Sequence, residues 1–285
     1  LDEVDVISSI SGGGFPAAYY AWRGKRIFEE FADRFLYRPV QSDLVKLALS
    51  PASWLKLAAP WYGRSDLAAE FYHREVFGGA TYADLIARNR RPFVILNATD
   101  MTTGTQFAFI QDQFDLMCSD LAGVPLARAA ASSSAFPGAL TALTFQNYAG
   151  TCGYRQPAWV QLAFEDHGSR VNPRRTARAG NRLSLAAEGP AKRPYIHLTD
   201  GGVADNIGLR GPLEAIASTN HPWSVLRRMN QKKIGKLVVI AVNAATDPAA
   251  GRDRSASVPG LIDTLTAAVT KRRGGRVSIA LPSAR

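Results

Sequence analysis

The chain has 285 residues, 46% of them apolar and 20% charged, with a formal net charge of +10. This length and balance suit one large α/β domain or two small ones around a real core, and exclude a chain disordered throughout. Two cysteines are too few for a disulfide scaffold, and no apolar run reaches the roughly 18 residues of a transmembrane helix.

The first predicted element is a short buried strand at 4–9, β-branched and apolar. Ser11-Gly12-Gly13-Gly14 reads as a tight turn, and 15–22 as a helix that tolerates Pro16 in its first turn. An amphipathic helix follows over 27–36, with Ile27, Phe28, Phe31 and Phe35 on one side. The stretch 40–59 continues helical, broken or restarted at Pro51. Helices are predicted at 65–76, with Ser65 and Asp66 as caps, and at 82–88.

A second buried strand falls at 93–99 and a third at 106–111, after a turn at Thr103-Gly104. The Ala-rich stretch 125–133 reads as a helix, ended by Ala135-Phe136-Pro137-Gly138. Residues 150–194 mix turns, a helix at 156–164 and an Arg-rich segment, and are read as exposed loops or an insertion. A fourth strand at 195–199 stops at Asp200-Gly201-Gly202. Beyond it lie a helix at 209–217, the clearest strand of the sequence at 236–243 (KLVVIAVN), a helix at 258–270 and a basic tail at 271–285. Strands alternating with helices predict an α/β fold with a mainly parallel sheet covered on both faces. Ligands of such sheets sit beyond the carboxyl ends of the strands.

Two strand ends carry chemistry. At the first, Ser9-Ile10-Ser11-Gly12-Gly13 departs from the G-x-S-x-G elbow only in its leading residue, where serine replaces glycine. A serine on such a turn projects its hydroxyl from the sheet edge. The N-terminus of the following helix favours the charge that develops there. The Gly12 N–H, next after Ser11, suits an oxyanion donor. Alone, this turn is equally a Gly-rich βα connection without chemistry; Ser8 and Ser9 belong to the strand and are weaker candidates. At the second, Asp200 closes an apolar strand before Gly201 and Gly202, where a carboxylate can take a proton from a serine within reach. Alone, it is equally an Asp-Gly turn. Together they suit an acyl-transfer dyad. His197, inside its strand, is expected in a core or structural role, and a Ser11–His221 triad ranks below the dyad.

The net charge motivates a nucleic-acid-binding alternative. However, the densest basic run, Arg170 to Arg193, contains no aromatic residue for base stacking. A solvated charge excess explains the balance equally well. Cys118 and Cys152 are compatible with one bridge in an oxidising compartment or with two buried thiols. Trp54, Leu55, Leu57, Trp61 and Tyr62, near Lys46 and Lys56, form an aromatic patch suited to a lipid interface; packing in the core is the favoured expectation for it. No metal or cofactor site is read from the sequence.

Three blocks resemble the patatin-like phospholipase family: 5–20 (DVISSISGGGFPAAYY), 127–138 (ARAAASSSAFPG) and 199–206 (TDGGVADN). The likeness spans roughly residues 1–245. It implies a three-layer α/β/α fold, a Ser11–Asp200 dyad without histidine, an acyl-serine intermediate, and hydrolysis of lipid, often phospholipid, esters without a cofactor. A catalytically inactive lipid- or membrane-binding relative is the alternative. The expected organisation is one domain over 1–270, with the insertion at 150–194 and the tail at 271–285. The family's Gly-rich oxyanion loop lies upstream of the nucleophile, and the chain begins ten residues before Ser11. The expectation is an N-terminally truncated domain with weak or no activity as it stands. Peripheral membrane contact is also expected. A membrane-associated or periplasmic location in a bacterium is expected ahead of a cytoplasmic one.

Overall fold

The computed structural model describes residues 2–156, 189–205, 207–212, 229, 231 and 233–242. All belong to one compact unit, Leu1–Val242; a second, Asn243–Arg285, lies wholly outside the described residues. So do all but the first residue of the helix expected at 156–164, the helix at 258–270, the tail, most of the Arg-rich run and most of the helix at 209–217, of which a first turn at 210–212 is described.

Strand β1 (Val6–Ile10) leads through a 3₁₀ turn at Ser11–Gly13 into α1 (Gly14–Arg23), as the opening pattern predicts. The segment 27–36 is α2 (Ile27–Phe31) continued by a π-helical turn (Ala32–Leu36). Phe31 enters the core, but Phe28, expected on the same side, is exposed. The predicted break at Pro51 separates α3 (Val40–Ala48) from α4 (Pro51–Leu57); Ser50 caps α4 by accepting the Ser53 N–H, with Pro51 in its first turn. Helix α5 (Arg64–Glu75) begins one residue earlier than expected. Asp66 accepts the Gly63 N–H at its start (2.9 Å), whereas Ser65 is buried and bonds to the Thr141 carbonyl instead of capping. Helix α6 spans Tyr82–Arg88.

The sheet is built around β2 (Phe93–Asp100). Residues Met101–Gly104 turn the chain into β3 (Thr105–Ala108), and α7 (Gln111–Asp115) follows. Helix α8 (Leu126–Ser133), β4 (Leu143–Gln146), a helical turn at Gly189–Lys192 and β5 (Tyr195–Thr199) complete the described elements. Helices lie on both sides of the sheet, as an α/β fold requires. The sheet itself is mixed. Among the described residues only β1 and β2 pair in parallel; β2–β3, β2–β5 and β4–β5 are antiparallel. A parallel partner needs a crossover of a dozen residues or more, and the four-residue turn between β2 and β3 is too short for one. Strand β4, which had no clear sequence signal, forms by pairing with β5.

The expected strand at 236–243 is absent over its described part. Residues 236–242 have no ladder, and Val238, Ile240 and Val242 are exposed. An apolar run becomes a strand only where a sheet edge accepts it, and none does among the described residues.

Backbone parity along β2 decides what its edges carry. Phe93 N–H donates to Asp5 (2.8 Å) and Met101 N–H to His197 (2.9 Å), so the odd-numbered backbone groups face β1 and β5. Leu96 and Asp100 accept from Phe109 and Gly104, so the even-numbered groups face β3. β1 and β5 therefore share one edge of β2 and run toward each other. β1, parallel, ends opposite Asn97; β5, antiparallel, ends opposite Thr99.

The core lies where α1, α5 and α8 pack together and on β2. Val94, Leu96 and Ala98 are buried there, under Ala127, Ala129, Ala130 and Ala131 of α8. Small side chains on α8 let neighbouring backbones approach closely. Aromatic rings fill the space around α1: Phe15 packs on Phe35, Tyr72 and Phe77, and Tyr19 on Phe31. Cys118 and Cys152 form a disulfide, which resolves the alternatives left open above.

Candidate active site

The two strand ends that meet along β2 deliver Ser11 and Asp200 to one place. The Ser11 hydroxyl donates to Asp200 Oδ2 at 2.8 Å, across 189 residues of sequence. Ser11 has φ +52°, the left-handed region that costs a non-glycine residue about 1–2 kcal/mol. That conformation is what a sharp strand-to-helix elbow demands. It is held by the Ser11–Asp200 bond and by the Ser11 N–H, which donates to Ser133 Oγ at 2.8 Å. Ser133 in turn donates to the Asn97 carbonyl at 2.7 Å. Asn97 stands opposite the last residue of β1, so its carbonyl faces the gap between the two strand ends.

Asp200 is 2% exposed. Its N–H bonds to the Ala135 carbonyl (3.0 Å) and its carbonyl accepts from Thr99 Oγ1 (2.8 Å). Thr199 Oγ1 donates to the same Ala135 carbonyl (2.9 Å), tying the end of α8 to the end of β5. Asp200 Oδ1 accepts the Gly202 N–H at 2.7 Å, leaving Oδ2 for Ser11. Burial pushes the carboxyl above its ordinary value; the hydrogen bonds from Ser11 and Gly202 pull it back in part.

The four glycines expected at the site have different reasons to be glycine. A Cβ on Gly201 would run into the Asn97 carbonyl, so no larger residue fits where β5 turns away from β2. Gly202 is buried and its N–H orients the carboxylate. Gly12 and Gly13 are exposed with open space around them, and their backbone N–H groups lie in the first turn after the nucleophile. An anionic oxygen can approach there.

The remaining candidates lie outside the dyad. Ser8 Oγ accepts from Asn97 Nδ2 (3.0 Å), and Ser9 is buried within β1. His197, expected in a core or structural role, is exposed and bonds through Nδ1 to Thr144 on β4 (2.9 Å), a cross-strand pair. Among the described residues no histidine bonds to Ser11 or Asp200; His221 lies outside them. No group of His, Cys, Asp and Glu among the described residues is arranged to hold a metal.

Sequence reasoning missed Ser133, Asn97 and Thr99. Ser133 carried a faint signal, standing in a serine run at the end of an otherwise Ala-rich buried helix. A buried ion pair beside the site was missed as well: Arg193 Nη2 contacts both oxygens of Asp100, at 2.9 and 2.7 Å, where β2 pairs with β5.

A family model described as patatin-like phospholipase matches residues 1–213. No curated protein and no solved structure matches the chain.

Proposed function

The chain belongs to the patatin-like phospholipase family, a family of lipid acyl hydrolases, and from that premise we propose that it cleaves lipid acyl esters, phospholipids among them, through a Ser11–Asp200 dyad. The single observation that carries this reading is the 2.8 Å bond from Ser11 Oγ to a buried carboxylate at a left-handed elbow.

Ser11 Oγ attacks the ester carbonyl carbon as Asp200 Oδ2 takes its proton. The carbonyl oxygen becomes an oxyanion facing the Gly12 N–H and the first turn of α1. Collapse breaks the acyl–oxygen bond; the leaving alcohol takes the proton from Asp200, and the acyl group stays on Ser11. Water then gives a proton to Asp200 and attacks the acyl carbon. Release of the fatty acid returns the proton to Ser11. The Gly202 N–H keeps Oδ1 occupied, so one oxygen of Asp200 serves as base throughout. No cofactor or metal enters this scheme.

The reading includes peripheral contact with a membrane surface. The Cys118–Cys152 bridge supports folding in an oxidising compartment and hence a membrane-associated or periplasmic location ahead of a cytoplasmic one.

The test is covalent labelling with a fluorophosphonate, together with release of fatty acid from phospholipid. The protein is expected to label and hydrolyse; Ser11→Ala and Asp200→Asn are expected to do neither. Lipid binding without labelling would identify a catalytically inactive relative. Salt-sensitive nucleic-acid binding without either would overturn the lipid reading.

A further inference from the structure

The segment 36–62 holds an unusual share of the exposed apolar surface. Trp54, Leu55 and Trp61 are 59, 82 and 79% exposed, and Leu36, Tyr37 and Leu49 are exposed as well. The sequence favoured packing of Trp54, Leu55, Leu57, Trp61 and Tyr62 in the core; the structure turns Trp54, Leu55 and Trp61 outward and leaves Leu57 and Tyr62 half-buried. Helix α3 shows why the core cannot absorb it. Val40, Leu44 and Leu47 already pack against the core, while Val45 and Leu49 face away. A helix apolar on both sides needs cover on its second side.

Both stems of this excursion are tied to segments that lead away from the dyad. At its start, Phe35 stacks on Phe15 at 4.6 Å, and Phe15 is four residues past Ser11 in the first turn of α1. At its end, Arg64 donates to the Gly138 carbonyl (3.4 Å) and the Ser65 N–H to Thr141 Oγ1 (3.2 Å). Gly138 is three residues past Ala135, whose carbonyl holds the Asp200 N–H.

The charge of the segment selects the partner. The segment 36–62 carries Arg38, Lys46 and Lys56 against Asp43, flanked by Asp33, Arg34 and Arg64; Arg38 is engaged by Asp43 and Glu75 and Lys56 by Glu70, so Lys46, Arg34 and Arg64 supply its outward cationic character. Exposed Trp and Leu interleaved with Lys and Arg suit the boundary between acyl chains and anionic headgroups.

We propose that α3, α4 and the turn to Trp61 form a docking platform for an anionic phospholipid bilayer, seating the protein so that the Ser11–Asp200 dyad opens toward the membrane. The inference rests on the lipid-hydrolase reading for the kind of surface met; its binding test does not depend on catalysis. Trp54, Leu55 and Trp61 enter the interface, and Lys46 lies at the headgroups. Attraction to anionic lipid contributes about fivefold in affinity per basic residue near the surface.

The experiment is flotation of the Ser11→Ala protein with vesicles of phosphatidylcholine alone and of phosphatidylcholine with phosphatidylglycerol. Ser11→Ala carrying W54S, L55S and W61S is the comparison, and Lys46→Glu a second one. Expected are flotation favoured by the anionic vesicles, at least a tenfold loss in the triple variant, and about a fivefold or larger loss for Lys46→Glu. On the Ser11 background, the triple variant is expected to keep hydrolysis of a short soluble ester and to lose hydrolysis of vesicle phospholipid. Equal flotation of parent and triple variant overturns the platform. So does a parent dimer in sedimentation that the triple variant abolishes, since a second copy is then the occupant. Full ester hydrolysis by Ser11→Ala would instead overturn the dyad and leave the flotation result standing.

Discussion

The Ser11 N–H donates to Ser133 Oγ at 2.8 Å, and the Ser133 hydroxyl in turn donates to the Asn97 carbonyl. One hydroxyl at the end of a buried helix thus links the elbow to the central strand of the sheet. Because it accepts from the nucleophile's own backbone, it resists relaxation of Ser11 out of its left-handed conformation.

Ser133→Ala removes both bonds and leaves a part-buried donor and a buried acceptor unpaired. Stability is expected to fall by about 1–3 kcal/mol, read by denaturant unfolding. A misplaced nucleophile loses rate more than binding, so kcat is expected to drop by about ten- to a hundredfold with KM little changed. A variant that loses stability alone would give Ser133 a purely structural part.

Asp200 yields two linked expectations. Its folded pKa is raised, chiefly by burial. The base must be ionised to accept the proton from Ser11, so the acid limb of kcat/KM is expected above the ordinary aspartate value near 3.9. A pH–rate profile with a soluble ester reads it directly. A limb at or below that value would mean another group serves as base.

The same shift sets the sign of a stability effect. A raised folded pKa means that protonation of Asp200 stabilises the fold; this contribution is complete below the unfolded pKa and is lost as pH rises through the folded one. At neutral pH the buried carboxylate is a burden. Asp200→Asn removes the charge and keeps a carbonyl oxygen for the Gly202 N–H. It is expected to raise Tm at pH 7, with the advantage shrinking toward acid, and to lower activity by about 10⁴-fold or more.

Gly201→Ala tests the meeting of β5 and β2. The added methyl faces the Asn97 carbonyl, a backbone atom that cannot swing aside. Overpacking of this kind costs about 1–3 kcal/mol or more, and here it also pushes Asp200 away from Ser11. Loss of activity with a lowered Tm is expected; a neutral outcome would show that the turn has room to shift.

Reduction of Cys118–Cys152, or Cys152→Ser, frees a stretch with sequence separation 34. Loop-closure entropy sets the expected loss at about 3–4 kcal/mol. Denaturant midpoints with and without reductant measure it.

Local chemistry was legible in the sequence. The strand–turn–helix at Ser11, the strand stopping at Asp200 and α6 follow from patterns only a few residues long, and the structure reproduces them to within a residue or two. Long-range pairing was not. Alternation of strands and helices predicted a mainly parallel sheet, but the direction of β3, β4 and β5 depends on connection length and on which edge is open. The run at 236–243 was more strand-like than β4, yet β4 found a partner. Ser133 and Asn97 escaped notice because their role lies in a junction between strand ends that no window of sequence contains. Neither the cysteine pairing nor the outward turn of Trp54 and Trp61 follows from composition.

β1 and β5 are each laced to β2, and they meet head to head. The spacing of the reacting oxygens is therefore gauged by a two-residue step on β2, from Asn97 to Thr99. That strand acts as a jig, indifferent to how the chain travels from one side to the other. One side of the site is fixed by the β1 ladder and the other by the β5 ladder and by Arg193 on Asp100, so a substitution that loosens β2 disturbs nucleophile and base together.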